Sequence, residues 1–253
     1  MRIPRRALVV AACGVLAGCA APTPAPATPP VLVTQPFYEP VLVDWASTYR
    51  RGLSGPLPFD LDTRTRTEGI GLVKQDEAQL LVTTGEPPQG WFATPLGNLG
   101  LAVVVHSQNP VRDLNTDELR DLFSGAADSW DDVGGPSLSV QPVLPLPGEP
   151  AGDAFASLVM GDRAPWPGTL LAPTTSAMAQ MVADDPGAIG ILPAAAVPQG
   201  LRIMPVEGVL PGGSTVASGA YPLSVPLLAT APTEPTGALR DFLIWIQSQA
   251  AKQ

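Results

Sequence analysis

The sequence contains very little cysteine and histidine, the residues that most often hold structural metals. It has two cysteines and a single histidine, His106. Both cysteines, Cys13 and Cys19, lie near the start of the chain, so the rest of the chain can form neither a disulfide bond nor a zinc or iron–sulfur cluster. We therefore predict that the folded part binds no metal and is stabilised by its apolar core alone.

Charged side chains are also scarce, at 15% of the chain, and acidic residues outnumber basic ones by 23 to 14. This acidic balance argues against nucleic acid as a partner and against docking on anionic lipid. The sequence has no P-loop, no dinucleotide-binding fingerprint and no Ser/His/Asp set in a motif. We therefore expect no cofactor and no enzymatic activity. His106 follows an apolar run, and we expect it to have a structural role rather than a catalytic one.

No apolar run reaches the length of about 20 residues that spans a membrane. The chain does begin with a basic stretch and an apolar run from Ala7 to Leu16, the pattern of a secretory signal. The run ends in "LAGC", which resembles the lipobox of bacterial lipoproteins, whose cysteine is lipidated. We predict a signal peptide over residues 1–18, lipidation of Cys19 and a Pro/Ala-rich tether over residues 19–30. A plain signal peptide with small residues near its cleavage site is the alternative.

Segments typical of strands and helices alternate along the rest of the chain, which predicts an α/β fold. The apolar run Leu99–Ser107 is typical of a strand buried on both faces. Other extended segments are predicted at 55–65, 79–84, 138–144, 188–192, 201–206 and 221–230. Helices are predicted at 40–51, 67–75, 114–125, 151–160, 174–185 and 235–249.

Two of these helices carry clear local signals. Asn115 and Glu118 have the spacing of a capping box, and Gly125 suits the residue after the helix end. The helix at 174–185 is predicted to start at Thr174 or Thr175 and to stop before Pro186. In the helix at 151–160, Ala151, Phe155 and Leu158 are predicted to share the buried face.

Four stretches, taken together, resemble the phosphate-binding-protein-like family of periplasmic solute receptors. The longest is "LAVVVHSQNPVRDLNTDELRDLFSGAADSWDDVGG", with the family's Asn-Pro turn, Leu/Phe helix and Trp-x-x-Val-Gly-Gly turn. The others are "VADDPGAIGIL", in which Ile191 replaces the usual tyrosine, "YPLSVPLLAT", and "LRDFLIWIQS" in the last helix. Their order and spacing cover residues 31–250.

The resemblance implies a two-lobe periplasmic-binding-protein-like fold of type II, with mixed sheets flanked by helices and a ligand cleft between the lobes. Residues 31–100 plus 205–253 would form lobe I, and residues 101–204 would form lobe II. It also implies an extracytoplasmic, monomeric solute-binding protein that binds a small-molecule ligand and serves an ABC permease. Its contact with the membrane would be through the lipid on Cys19 alone. The alternative is a sensing, adhesion or assembly module that keeps the fold without the ligand chemistry.

In lobe II, the stretch "LPLPGEPAGDAF" stands where the family has a Gly-Ser-Gly-Thr turn before a helix. Glu149 replaces the serine, Pro150 a glycine and Ala151 the threonine, and the arginine expected near Pro145 is missing. A carboxylate about 4 Å from a phosphate repels it by roughly 1–4 kcal/mol. The resemblance therefore gives tentative ligand contacts but argues against phosphate in the family's pose. The contacts carried over are Gly148, Glu149, Ala151, Gly152 and Asp153.

In lobe I, "TRTEGIG" stands where the family has a Gly-Ser-Gly-x-Gly-Ile loop, and Arg66 replaces the serine. The contacts carried over here are Thr65, Arg66, Thr67 and Gly69, together with Thr83 and Thr84 at a strand end. Arg64 and Arg66 could meet an acidic group of the ligand or pair with Glu149 or Asp153 across the cleft. Arginine facing acids suits a zwitterion or a polar neutral molecule. Solvated loop residues without a ligand are the alternative.

Overall fold

Alternating strands and helices build a mixed sheet in residues 28–250, the part of the chain that the computed structural model describes. The predicted signal peptide, the lipidation site Cys19 and most of the tether lie outside these residues. The strands are β1 (Val31–Thr34), β2 (Asp60–Thr63), β3 (Leu80–Thr84), β4 (Phe92–His106), β5 (Gln141–Pro145), β6 (Leu170–Ala172), β7 (Ala188–Pro193), β8 (Leu201–Met204) and β9 (Ser224–Ala231). The α-helices are α1 (Glu39–Arg51), α2 (Arg66–Lys74), α3 (Thr116–Ser124), α4 (Pro150–Phe155), α5 (Thr175–Asp184), α6 (Gly213–Ala217) and α7 (Gly237–Ala250).

The strands follow the order β2-β1-β3-β9-β4-β7-β5-β6, and β8 pairs with β4 beside this path. β1 runs parallel to β2 and β3, whereas β9 runs antiparallel to β3 and β4. Farther along the sheet, β5 runs parallel to β6 and β7. Parallel and antiparallel pairs thus share one sheet, and the predicted α/β class is confirmed.

The longest strand, β4, connects two groups of strands. Its first part, Phe92–Gly100, pairs with β9, with an irregularity between Pro95 and Gly97. Its second part pairs with β7 and β8, and the side chains from Leu101 to Val105 are fully buried. The proposed division into residues 31–100 plus 205–253 and residues 101–204 separates the chain at this strand. That division stays a prediction.

Local capping signals define α3 and α5. The Asn115 side chain accepts a hydrogen bond from the Glu118 N–H at 2.9 Å, and the Glu118 carboxylate accepts one from the Asn115 N–H at 2.8 Å. Gly125 ends α3 with φ +76°, a conformation that favours glycine. At α5, Thr174 is the capping residue, because its hydroxyl accepts from the Ala177 N–H at 3.1 Å. The capping box of α3 is therefore confirmed, and the choice at α5 is settled for Thr174.

The buried face predicted for the helix at 151–160 is wrong at one position. Ala151 and Phe155 are fully buried, but Leu158 is 37% exposed. After α4 the chain continues as a π-helical turn, Ala156–Met160, in which the Gly161 N–H donates to the Ala156 carbonyl at 3.1 Å. This wider turn shifts the inward face along the chain, so Val159 and Met160 are buried in place of Leu158.

Among the helices of residues 28–250, none combines the length and the apolar character that crossing a bilayer requires.

Candidate functional site

The candidate site lies where the parallel strands β1, β2 and β3 end. Open α/β sheets commonly bind ligands outside the carboxyl ends of their strands. Thr34 pairs with Thr63 and with Val82, which places the ends of the three strands side by side. The chain leaves β1 through a turn into α1 and leaves β2 through Arg64 into α2. Polar side chains in these connections therefore meet at one edge of the sheet.

Helix α2 begins at this edge, and its own first turn uses most of the predicted contacts. The Thr65 hydroxyl donates to the Glu68 carboxylate at 2.8 Å, within a capping box. Thr67 is exposed, and Gly69 is buried against the sheet. A β-carbon on Gly69 would lie 2.9 Å from Leu81 Cδ1 and 3.1 Å from Val33 Cγ1. Thr65 thus caps the start of α2, and Gly69 packs the helix against the sheet. Arg66 is then the charged residue of α2 that can interact with a ligand at the site.

Arg66 is half-buried and has two different environments around its guanidinium group. Its Nη2 donates to the carbonyl of Glu86, in the connection after β3. Its Nε is buried without a hydrogen-bond partner. One end of the guanidinium therefore anchors the side chain, and the other is available to a ligand.

Thr83 and Thr84, at the end of β3, are both buried. The Thr83 hydroxyl donates to the Thr84 carbonyl at 3.1 Å, and Thr84 Oγ1 lies 2.6 Å from the Tyr38 hydroxyl. Burial raises the pKa of Tyr38 well above its usual value. The carboxylates of Glu149 and Asp153 act in the same direction, and the Thr84 hydroxyl and Arg66 oppose them. Tyr38 is therefore a neutral phenol that contacts Thr84 and lies within the electrostatic influence of Arg66, Glu149 and Asp153.

The turn before α4 supplies the acidic residues of the site. Gly148 is exposed with φ +85°, and Glu149 precedes the first turn of the helix, with Pro150 next. The Gly152 and Asp153 N–H groups donate to the Glu149 carbonyl, at 2.9 and 3.2 Å. Those amides therefore close the helix turn rather than face a ligand. Pro150 has no N–H, so this turn lacks one of the amide donors that could hold an anion.

The Glu149 side chain turns inward rather than toward solvent. It is only 8% exposed, and its Oε2 has no hydrogen-bond partner. Burial, with a smaller contribution from Asp153, raises the pKa of this carboxyl. A cavity of about 10 Å³ lies beside it, about the space of one water molecule. Its lining is Phe37, Pro145, Glu149, Ala172, Pro173, Thr174 and Met178. Helix α4 also contacts β3, so the two sides of the site are close together.

Sequence reasoning missed Gln35 and Tyr38. Gln35 is fully buried, and neither its Oε1 nor its Nε2 has a partner. Its carbonyl accepts from the Tyr38 N–H at 3.0 Å, so the two residues share one turn. An uncompensated buried polar group costs about 1–3 kcal/mol. The available signal was a glutamine directly after the strand-like stretch "VLVT", in a connection at a strand end.

Direct pairing across the site, suggested for Arg64 and Arg66, does not form among the described residues. Arg64 instead pairs with Asp62 at 3.1 Å, on its own side of the site. No ion pair joins either arginine to Glu149 or Asp153 in residues 28–250. The pairing hypothesis is therefore wrong as a direct contact, and the positive and negative ends of the site stay separate.

Three other features lie apart from these charges. A groove of about 430 Å³ between α1, α7 and β4 is larger, but its lining contains no charged side chain. His106 ends β4, pairs with Leu201 of β8, and accepts at Nδ1 from the Gln108 N–H at 3.2 Å. In residues 28–250, no group of three or more His, Cys, Asp or Glu is arranged to hold a metal ion. We place the candidate site at Gln35, Arg66 and Glu149 because of its chemistry rather than its size.

Comparison with known proteins identifies similar folds and sequences. A family model described as a PBP superfamily domain matches residues 22–250. The phosphate-binding protein PstS of Bacillus subtilis is 26% identical over 200 residues, which cover 75% of this chain and 66%, just under two thirds, of that protein. A similar fold is found in a crystal structure from Clostridium perfringens, described as a phosphate ABC transporter substrate-binding protein with bound phosphate. It superposes with a TM-score of 0.76 at 19% identity, and the match covers 86% of this chain and 92% of that one.

A second solved structure agrees with the first. An ABC-type phosphate transport receptor from Vibrio cholerae gives a TM-score of 0.67 at 22% identity, with 88% of this chain and 95% of that chain covered. At such identities the two structures establish the fold, which is the two-lobe, type II periplasmic-binding-protein architecture. The predicted fold and the predicted resemblance are both confirmed.

Proposed function

Because this chain belongs to the PBP superfamily, we propose that it is an extracytoplasmic solute-binding protein that delivers a small solute to an ABC importer. The observation that carries the proposal is that Gln35, Arg66 and Glu149, which follow β1, β2 and β5, carry buried polar atoms without a hydrogen-bond partner. Polar groups that meet at the carboxyl ends of strands are typical of ligand sites in α/β proteins. The phosphate receptors similar in sequence and fold support the same class of function. The activity proposed is binding and release, without chemical change of the solute.

We further propose that the solute is not phosphate held in the family's pose. Glu149 is buried at the position of the family's serine, and Pro150 removes one amide donor. A buried carboxylate repels a phosphate, and each lost hydrogen bond to a charged group weakens binding by roughly 1.5–3 kcal/mol. A micromolar site has only about 8 kcal/mol of binding free energy. These losses together would remove such an affinity.

The proposal is tested by thermal unfolding of the full-length chain, purified in detergent, with inorganic phosphate and with a panel of small solutes. A solute at 100 times its dissociation constant should raise the free energy of unfolding by about 2.7 kcal/mol. We expect at least one solute to do so and phosphate to have no effect. Clear stabilisation by sub-millimolar phosphate would overturn the statement about phosphate and leave the binding function standing.

The membrane attachment is a separate proposal. We propose that residues 1–18 are a signal peptide, that Cys19 carries the lipid, and that the protein is an extracytoplasmic monomer held at the membrane by that lipid alone. Labelling with radioactive palmitate in a bacterial host should mark the wild-type chain in the membrane fraction, and Cys19→Ser should abolish the label. A labelled Cys19→Ser protein would overturn the assignment of the lipid to Cys19.

One observation favours a second function. The cavity beside Glu149 is only about 10 Å³, and Phe37, Thr174 and Met178 close around it. A chain that had exchanged ligand binding for direct contacts across the cleft would show this packing and would act as a sensing, adhesion or assembly module. Absence of a thermal response to every solute in a broad panel would favour this function over solute delivery.

A further inference from the structure

Unpartnered buried polar atoms concentrate at the candidate site. In residues 28–250 there are six such side-chain atoms, and four of them belong to Gln35, Arg66 and Glu149. Gln35 is fully buried and Glu149 is 8% exposed. Unpaired polar groups are rare inside folded proteins, and each one requires an explanation. A ligand that supplies the missing hydrogen bonds explains all four together.

These atoms require both donors and acceptors from a ligand. The Glu149 Oε2 and the Gln35 Oε1 accept hydrogen bonds, whereas the Gln35 amide nitrogen and the Arg66 Nε donate them. The neighbouring hydroxyls are already engaged, because Tyr38 bonds to Thr84. Inorganic phosphate can donate only through its P–OH groups, and it brings a negative charge next to the carboxylates of Glu149 and Asp153. The complementary ligand carries N–H donors at one end and acceptor oxygens at the other.

The charged side chains of the site are arranged in the same way as its donors and acceptors, with two acids on one side and an arginine on the other. Glu149 directly precedes α4 and Asp153 lies in it, whereas Arg66 comes from α2, where the Glu86 carbonyl anchors it. No ion pair joins the arginine to these two acids in the described residues. Arg66 and these acids therefore do not neutralise each other by direct contact, and each one favours a ligand group of the opposite charge.

We propose that the cleft binds a small amino zwitterion, with its ammonium group at Glu149 and its carboxylate at Arg66 and Gln35. This inference rests on the proposed solute-binding function. The ammonium group donates to Glu149 Oε2 and to Gln35 Oε1, and it also lies in the field of Asp153. The carboxylate accepts from the Arg66 Nε and from the Gln35 amide. The cavity beside Glu149 has room for about one water molecule, so the proposal requires the residues around Glu149 to move apart when the ligand binds.

Isothermal titration of the full-length chain in detergent tests this inference. The probes are the twenty common amino acids, inorganic phosphate and sorbitol. For any amino acid that binds, two further probes are its deamino analogue and its decarboxylated analogue. We expect at least one amino acid to bind and each analogue to bind at least ten times more weakly, because each lacks one charged end.

Two variants locate the ammonium group. Glu149→Gln keeps the size of the side chain and removes its charge, and it should weaken amino-acid binding by roughly 10- to 100-fold. Asp162→Asn is the matched control, because it removes an exposed carboxylate from the segment after α4, and it should leave the affinity unchanged. Cooperative thermal unfolding of both variants shows that they are folded. An unchanged affinity in a folded Glu149→Gln protein would overturn the position of the ammonium group.

The remaining outcomes separate this inference from the proposed function. Binding of phosphate or sorbitol without binding of any amino acid overturns the zwitterion and leaves a solute-binding protein. A deamino analogue that binds as tightly as its amino acid also overturns the zwitterion. If none of the probes binds, both this inference and the solute-binding function are overturned.

Discussion

The Tyr38 hydroxyl lies 2.6 Å from Thr84 Oγ1, and both side chains are buried. This hydrogen bond joins the turn after β1 to the last residue of β3. Because burial raises the pKa of Tyr38, the phenol stays protonated at neutral pH and can donate to Thr84. This buried, hydrogen-bonded pair lies at the candidate site, close to the charged side chains of Arg66, Glu149 and Asp153.

Removing the Tyr38 hydroxyl should destabilise the protein. Tyr38→Phe leaves the Thr84 hydroxyl buried without its partner, and we expect a loss of about 1–3 kcal/mol in the free energy of unfolding. Thr84→Val should cost a similar amount for the same reason. The double variant should cost less than the sum of the two, because only one hydrogen bond is available to lose. Urea denaturation of the three variants measures this, and strictly additive losses would show that the hydroxyls are independent.

Gly125 and Gly134 have similar backbone conformations but differently crowded surroundings, so substitutions at the two positions distinguish backbone strain from crowding. Both have a left-handed backbone, with φ +76° and +79°. A β-carbon on Gly125 would lie 2.6 Å from Cδ1 of Trp166, whereas one on Gly134 would meet nothing within 4 Å. Gly134→Ala should therefore cost about 1–2 kcal/mol from backbone strain alone. Gly125→Ala should cost a further 1–3 kcal/mol or so, from crowding. Equal losses in denaturant unfolding would contradict the role assigned to Trp166.

The sequence predicted best those elements whose signals lie within a few residues of each other. The capping box of α3 needs only Asn115 and Glu118, and it was found. The short edge strand β6 was missed, because three residues carry no periodicity. Leu158 was misplaced because a π-helical turn is set by packing rather than by a pattern of apolar residues.

The candidate site was predictable only where a motif position could be carried over. Arg66, Thr84, Glu149 and Asp153 were named from the sequence, and all four influence the Tyr38 hydroxyl, but their contact with a ligand stays a prediction. Gln35 was not named, because the burial of its amide depends on the whole fold. Thr65 and Gly69 were assigned to the ligand site from the sequence. The sequence alone could not distinguish a ligand contact from helix capping or close packing, because each of these roles favours the same residue types.

Substitutions at two glycines of α2 test whether Gly69 is required for packing or for ligand binding. A β-carbon on Gly69 would lie 2.9 Å from Leu81 Cδ1, whereas one on Gly71 would have only Gln75 Nε2 nearby, at 3.8 Å. Gly69→Ala should therefore cost about 1–3 kcal/mol through crowding against the sheet. Gly71→Ala should gain up to about 1 kcal/mol, because alanine favours the helix. Thermal unfolding without ligand measures both changes, and a neutral Gly69→Ala would show that the sheet can adjust to the added methyl group.

The buried carboxyl of Glu149 makes stability depend on pH. Burial first, and Asp153 second, raise its pKa in the folded protein above the ordinary value of 4.5. The folded state therefore binds this proton more tightly than the unfolded state does. The resulting stabilisation is fully present below pH 4.5 and is lost as the pH rises through the raised pKa. This carboxyl consequently contributes less stability at neutral pH than at pH 4 in the ligand-free protein.

Replacing this carboxyl should remove that loss. Glu149→Gln should unfold at a higher temperature than the wild type at pH 7.5 without ligand, and the difference should shrink toward pH 4, where the wild-type carboxyl is protonated in both states. Asp153, Arg66 and Tyr38, the other charged or titratable groups around this site, are present in both proteins, so the difference reports the change at Glu149. Asp162→Asn is the control, since substitution of an exposed acid should change stability by no more than about 0.5 kcal/mol. Scanning calorimetry between pH 4 and pH 8 measures both variants. A difference between Glu149→Gln and wild type that is independent of pH would mean that Glu149 titrates alike in the folded and unfolded chains.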